Sequence, residues 1–251
     1  VRWYGLLFAG SFYFGYLLFI KFFKKENIPV EVLDKLTIYM VIGTVVGARL
    51  GHCLLYEPDY YLSNPLEILM IWHGGLASHG AAIGILTAVY IFSRKEKRSF
   101  LWVMDRIVIV GALSGFFIRL GNLMNSEIYG HETNLPWGFI FQRVGETVPK
   151  HPTQIYEALI DLIIFGLLLH IYYKQKGKPK EGLILGLFFI LLFSARFLIE
   201  FIKNEQVDFE KSMTINMGQI LSIPIILAGV VILIYVFRKN RTRIQDPGLG
   251  T

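Results

Sequence analysis

Seven stretches of mostly apolar residues run along the chain, at 4–20, 36–56, 66–92, 101–124, 154–173, 182–202 and 215–237. Each is close to the ~20 residues a helix needs to cross a hydrocarbon core, and polar, often basic, connections separate them. The pattern predicts seven spanning helices. The third stretch is long, and His73, Gly74, Gly75 and His79 interrupt it. An irregular segment is therefore expected near one membrane surface before that helix settles. No repeat period or low-complexity segment stands out.

Composition agrees with this reading. A chain of 251 residues with 54% hydrophobic residues and mean hydropathy +0.50 is too apolar for a water-soluble domain of its size. The expected architecture is all-α: one seven-helix transmembrane domain over 1–237 and a basic tail over 238–251. The net charge of +6 does not indicate nucleic-acid binding, because the basic residues sit in short clusters between apolar runs, where they orient helices in a membrane. The lone Cys53 excludes internal disulfides and reads as a small core residue. With Val1 at the start and no initiator methionine, a processed or trimmed beginning is expected.

Orientation follows from the connections. Lys21, Lys24, Lys25 and Lys35 fill the first, Arg94, Lys95, Lys97 and Arg98 the third, and Lys174, Lys176, Lys178 and Lys180 the fifth, while Arg238, Lys239, Arg241 and Arg243 mark the tail. The second connection has no basic residue; the fourth has Arg143 and Lys150 in a long stretch, and the sixth has Lys203 and Lys211. Because basic residues stay cytoplasmic, the odd connections and the tail are inside and the N-terminus is outside. That parity requires an odd number of spans.

Orientation converts sequence position into depth. At 1.5 Å per residue, Arg196 lies roughly 20 Å along the outward-running sixth span, in the outer third of a core about 30 Å thick. Glu200 is one turn further on the same face. The fourth span brings Arg119 and Asn122 to its outer end, followed by Asn125 and Glu127, and the second brings Arg49 and His52 to a similar level. Tyr4, His79, Gln154, Glu157 and Gln219, early in inward-running spans, reach the outer side as well.

Singly, each residue has a structural explanation: an arginine that snorkels, an aromatic belt at Trp3 and Tyr4, an ion pair of Arg196 with Glu200. Convergence of so many at one depth is harder to explain that way, since intramembrane charge is costly. Arginine cannot shed its proton, so Arg49, Arg119 and Arg196 together call for an anion, balanced in part by Glu127, Glu157 and Glu200 and in part by a phosphate. The stretch His73-Gly-Gly-Leu-Ala-Ser-His79-Gly80 suits close approach of a ligand, although glycine also serves tight helix packing. His79 in that setting can take up a proton near neutral pH. His52, His79, His131 and His151 are scattered without cysteine partners, so no metal site is expected. No P-loop or dinucleotide fingerprint occurs.

Five segments carry a resemblance. Arg2-Trp3-Tyr4-Gly5-Leu6, Gly75-Leu-Ala-Ser-His79-Gly80, Arg119-Leu-Gly121-Asn122-Leu-Met-Asn125-Ser-Glu127-Ile-Tyr-Gly130, His151-Pro152-Thr-Gln154-Ile-Tyr156-Glu157 and Arg196-Phe-Leu-Ile-Glu200-Phe resemble the prolipoprotein diacylglyceryl transferase family, in order, from Arg2 to about Gln219. The Arg119 to Gly130 segment is similar to that family's signature. Ala81 and Leu123 stand where the family more often has glycine and phenylalanine.

The resemblance implies a multi-pass enzyme of the bacterial inner membrane, its active site toward the periplasmic side. Such an enzyme moves the diacylglyceryl group of phosphatidylglycerol onto the lipobox cysteine thiol of a prolipoprotein signal peptide and releases glycerol phosphate, with no cofactor. By matching positions, Tyr4, His79, Arg119, Asn122, Glu127, Gly130, Arg196 and Glu200 carry over as functionally important. Arg119 and Arg196 would hold the phosphate, with Glu127 and Glu200 fixing the guanidinium planes and Asn122 and Tyr4 adding hydrogen bonds. Asn122 and Gly130, with Arg49, Glu157 and Gln219 from the depth argument, are the expected substrate contacts. Either His79 acts as base, or an arginine pair lowers the thiol pKa unaided. The competing readings are another phospholipid-using acyltransferase and a transporter of an anionic solute. A transporter would place charge through both halves of the bilayer, whereas the inner halves here hold only Asp105, Arg106 and Asp161.

Overall fold

The computed structural model describes residues 3–204 and 215–245; Arg2, Lys211 and tail residues 246–251 lie outside the described residues. Its long elements are helices: α1 (Trp3–Lys25), α2 (Val30–Leu55), the short α3 (Pro58–Ser63), α4 (Ser78–Lys95), α5 (Phe100–Asn125), α6 (Thr153–Lys174), α7 (Leu183–Ile199) and α8 (Met217–Gln245). Among the described residues no strand forms, and β pairing is confined to isolated bridges.

Among the described residues, six helices are long and apolar enough to cross a membrane: α1, α2, α5, α6, α7 with the 3-10 turn Glu200–Ile202, and α8. Their apolar side chains point outward; Ile42, Leu227 and Val231 are each more than half exposed. Arg49, Asn122, Gln154, Glu157, Asp161, Glu200, Lys203 and Gln219 are buried. This inversion of the soluble pattern is what lipid as solvent demands. The predicted third span is not one long helix from Leu66. Pro65–Leu69 and Ile71–His73 form 3-10 turns, Gly74 and Gly75 take positive φ, and α4 starts only at Ser78. Long enough at 18 residues but made less apolar by His79, Arg94 and Lys95, α4 is not among the six spans. At the other end of the chain, α8 continues past Phe237 to Gln245, so the tail begins as helix.

Several helices stop in the same way. At the ends of α1, α4, α5 and α6 a residue other than glycine turns left-handed: Asn27 (φ 55), Lys97 (φ 51), Ser126 (φ 56) and Lys176 (φ 54). The following N–H then reaches back to a carbonyl five residues earlier: Ile28 to Phe23 at 2.8 Å, Arg98 to Ser93 at 2.9 Å, Glu127 to Asn122 at 3.1 Å and Gly177 to Tyr172 at 3.0 Å. The bond satisfies a terminal carbonyl that lipid could not. A side chain in this conformation costs about 1–2 kcal/mol relative to the right-handed one.

The chain divides into two compact units, Phe23–Met104 and the combination of Val1–Phe22 with Asp105–Thr251. In the first, α2 and α4 pack backbone to backbone. Gly43, Gly47 and Gly51 repeat every four residues on α2 and face Gly80, Gly84 and Ala88 on α4. A Cβ on Gly47 would stand 2.7 Å from the Gly84 Cα, and one on Gly51 2.6 Å from the Gly80 Cα. Small residues at this spacing let membrane helices approach closely. Arg49 is buried on α2, with Nε donating to the Ile68 carbonyl at 3.0 Å, Nη2 to Glu67 at 2.6 Å and Nη1 to the Gly74 and Gly75 carbonyls. It thereby ties down the irregular stretch before α4.

In the second unit α7 packs against α6 and α8. The Asp105 carboxylate, fully buried on α5, accepts from the Gly182 and Leu185 N–H groups, both at 2.8 Å, and so caps the start of α7. Arg106 donates to the Gly177 carbonyl at 3.2 Å.

Gly84→Val should lower the thermal midpoint of the detergent-solubilised protein by the equivalent of about 1–3 kcal/mol or more through overpacking. Gly111→Ala, where a Cβ meets nothing within 4 Å, should leave it unchanged or raise it slightly. Equal midpoints for the two variants would show that the α2–α4 contact is not under steric constraint.

Candidate active site

The turn that ends α5 shapes one side of the site. Ser126 and Ile128 (φ 62) are both left-handed, and the chain between them swings Glu127 back beside its own helix. The Asn122 side-chain amide donates to Glu127 Oε1 at 2.8 Å, and that of Asn125 at 3.4 Å. Gln154 and Thr153, at the start of α6, lock the turn by donating to the carbonyls of Glu127 at 2.7 Å and Ile128 at 2.8 Å. Left-handed residues other than glycine cost roughly 1–3 kcal/mol each and gather where surrounding contacts over-determine them.

Gly130 follows where three segments meet. Its N–H donates to His151, His131 to Ile202 (both 2.9 Å), and Asn204 to Tyr129 at 3.2 Å. A Cβ on Gly130 would stand 2.9 Å from His151 Cβ and from Thr153 Cγ2, so the crossing admits only glycine. Beyond it the connection 126–152 folds into a small polar cap. There the Tyr129 hydroxyl donates to Glu146 Oε1 at 2.7 Å, which raises the Tyr129 pKa and lowers that of Glu146.

The charged groups form one connected set. Arg119 Nε on α5 stands 3.1 Å from Glu157 Oε2 on α6, an ion pair by distance although not aligned as a hydrogen bond. Glu157 Oε1 accepts from Lys203 Nζ at 2.8 Å, and Lys203 reaches Glu200 Oε1 at 3.5 Å. Glu200 Oε1 is 3.6 Å from Arg196 Nε on α7. Asn216, just before α8, donates to Glu200 Oε2 at 3.1 Å; it also exchanges bonds with Gln219, whose amide donates to the Phe197 carbonyl at 3.3 Å. Glu157, Glu200 and Lys203 are all buried, where such pairing is mandatory.

Arg119, Glu157, Asp161 and Arg196 line a single cavity of about 200 Å³ between α5, α6 and α7, its remaining wall made of Gly111, Gly115 and apolar side chains. Arg196 Nε is buried there without a hydrogen-bond partner. A cavity with two guanidinium groups, one of them incompletely bonded, suits an oxyanion.

The structure thus joins Arg119, Asn122, Glu127, Glu157, Arg196, Glu200 and Gln219 through direct contacts. Tyr4 lies close by, its ring over Gly121, where a Cβ would stand 2.7 Å from Tyr4 Cδ2. Two details differ from expectation. Glu127 reaches Arg119 only through Asn122, and Glu157 takes the place expected of it. Lys203, read from the sequence as a connection residue, is buried between two carboxylates; its only signal was its place one turn after Glu200. Arg49 and His79 belong to the other unit. The guanidinium of Arg49 is committed to backbone carbonyls, and His79 is exposed in the first turn of α4. No group of metal-ligating side chains occurs among the described residues.

The chain matches the family model for prolipoprotein diacylglyceryl transferase over residues 1–235. A protein of Tolumonas auensis named phosphatidylglycerol–prolipoprotein diacylglyceryl transferase is 51% identical, covering 93% of this chain and 90% of its own length. Relatives of the same name in Chloroherpeton thalassium and Porphyromonas gingivalis are 49% and 46% identical, covering 93% and 97% of this chain and 87% and 91% of their own.

Lys203→Met should destabilise the protein by about 3 kcal/mol, since it leaves Glu157 and Glu200 short of a buried counter-charge. Lys35→Met, which breaks the exposed pair with Glu96, should cost no more than about 1 kcal/mol. Denaturant unfolding in micelles measures both, and equal costs would show that the Lys203 contacts are incidental.

Proposed function

We propose, from the premise that the chain belongs to the prolipoprotein diacylglyceryl transferase family, that its chemistry takes place at the cavity lined by Arg119, Glu157 and Arg196. The chain is a transferase that moves the diacylglyceryl group of phosphatidylglycerol onto prolipoproteins, the first step of lipoprotein maturation. The observation that carries the site assignment is that two arginines from different helices share one cavity, with Arg196 Nε lacking a hydrogen-bond partner.

On this reading the acceptor is the lipobox cysteine. Its thiol loses a proton, and the thiolate attacks the glycerol carbon that bears the phosphate. A C–S bond forms as the C–O bond breaks, and the electron pair leaves on the phosphate oxygen as glycerol phosphate. Arg119 and Arg196 hold the phosphate and take up the charge that gathers on it. Glu157 fixes the Arg119 guanidinium, Asn122 and Glu127 support its other side, and Glu200 with Gln219 and Asn216 supports Arg196. His79 is the proposed acceptor of the thiol proton; with an arginine pair that lowers the thiol pKa, the proton would instead pass to water without a histidine base. The carbonyl bonds of Arg49 favour a role in shaping residues 67–75 over direct contact with phosphate.

The finer topology belongs to the same proposal: seven spans with α4 as the third, a periplasmic N-terminus, a bacterial inner membrane, and a reaction on outer-leaflet lipid. The basic clusters of the odd connections and the polar outer ends of the helices support it.

Purified protein incubated with phosphatidylglycerol and a lipobox peptide should add one diacylglyceryl mass to the peptide. Arg119→Lys should cut turnover by about a hundredfold despite keeping the charge, because lysine lacks the two-pronged fork; near-normal turnover would reduce Arg119 to a source of charge. A peptide with serine for the lipobox cysteine should receive nothing, as a hydroxyl is far less readily ionised than a thiol. Efficient transfer to serine would point to a different reaction.

A further inference from the structure

One carboxyl group in the cavity has no task in the scheme above. Asp161 lies on α6 one turn beyond Glu157, is 5% exposed and lines the cavity, yet its carboxyl makes no hydrogen bond or ion pair with any described residue. Facing it on α5 is Gly115, where a Cβ would stand 2.5 Å from Asp161 Oδ2. Even alanine there would displace the carboxyl group, so the packing of α5 leaves room for it. The charged groups facing Asp161 are Arg119 on α5, Glu157 on α6 and Arg196 on α7; Arg119 and Glu157 are paired with each other.

A buried carboxylate without partners costs several kcal/mol unless it takes up a proton or a ligand supplies hydrogen bonds to it. That ligand is not the phosphate, which a carboxylate repels. A carboxyl oxygen does accept hydrogen bonds from hydroxyls. In phosphatidylglycerol the phosphate links the diacylglyceryl moiety to a second glycerol, and the hydroxyls of that glycerol lie just beyond the phosphate. With the phosphate between Arg119 and Arg196, a headgroup directed inward along α6 brings those hydroxyls toward Asp161. We propose that Asp161 accepts hydrogen bonds from the glycerol headgroup and so selects a polyol-bearing phosphodiester over one whose headgroup offers no hydroxyl. The inference rests on the cavity being the phosphate site.

Calorimetric titration of the detergent-solubilised full chain with glycerol 1-phosphate and with methyl phosphate tests it. The wild-type chain should prefer glycerol 1-phosphate by about tenfold or more, the scale of one hydrogen bond to a charged acceptor. Asp161→Ala should abolish the preference while binding methyl phosphate at least as tightly as wild type, because a repelling charge has gone. Asp161→Asn, which keeps the shape and one acceptor oxygen, should show an intermediate preference. Undiminished binding of methyl phosphate also reports that the variant pocket is folded. A preference that survives in Asp161→Ala, an absence of preference in wild type, or a parallel loss of both ligands would overturn the inference and leave the phosphate site standing. A change confined to the pH profile of transfer would also overturn it, making Asp161 a proton acceptor. Failure of wild type to bind either ligand would remove the phosphate site itself and the inference with it.

Discussion

A charge inside a low-dielectric membrane protein must be answered by hydrogen bonds or by an opposite charge, and around the cavity the answer is the sequence of contacts from Arg119 through Glu157, Lys203 and Glu200 to Arg196. Glu157 serves two cations and Lys203 two carboxylates, so no member can be repositioned alone. The set draws on α5, α6, α7 and the 3-10 turn after α7, and the geometry of the cavity follows from it. The backbone around Lys203 pairs with that around Gly130, which extends the same constraint to the polar cap. Rotation of any of the three helices about its axis would strand a buried charge at a cost of several kcal/mol, and this rigidity holds the two guanidinium groups of the cavity at a fixed separation.

Much of this was legible in the sequence, for identifiable reasons. Apolar runs near ~20 residues gave the long helices, because span length is set by the bilayer and not by packing detail. The glycine and histidine interruption before α4 signalled irregular backbone. Depth followed from counting residues along each span, and it grouped Arg119, Asn122, Glu157, Arg196, Glu200 and Gln219, which the structure joins by direct contacts.

Partner choice was not legible. Which carboxylate meets Arg119 depends on how each helix is rotated about its axis, and apolar residues on both the lipid and protein faces conceal that rotation. Hence Glu157 took the place expected of Glu127. Lys203 looked like one more basic residue of a connection because its principal partner lies 46 positions away. The ending of α4 was hidden too, since no glycine marks the left-handed turn at Lys97. Asp161 looked like an isolated charge, and nothing in its neighbours on α6 announced that Gly115 on another helix makes space for it.

The glycine contact between α2 and α4 bears on how such a protein is assembled. A helix of 18 residues with His79 at one end and Arg94 and Lys95 at the other gains little by partitioning into lipid unaided. Its backbone is nonetheless moulded to Gly43, Gly47 and Gly51 of a helix made earlier in translation. In the proposed seven-span topology α4 would therefore have to be received by α2 as it leaves the insertion machinery, a recruitment by shape and not by greasiness. The order of synthesis then becomes part of the folding instruction, and transposing the two helices in the chain would leave α4 waiting at the membrane surface for a docking surface not yet made.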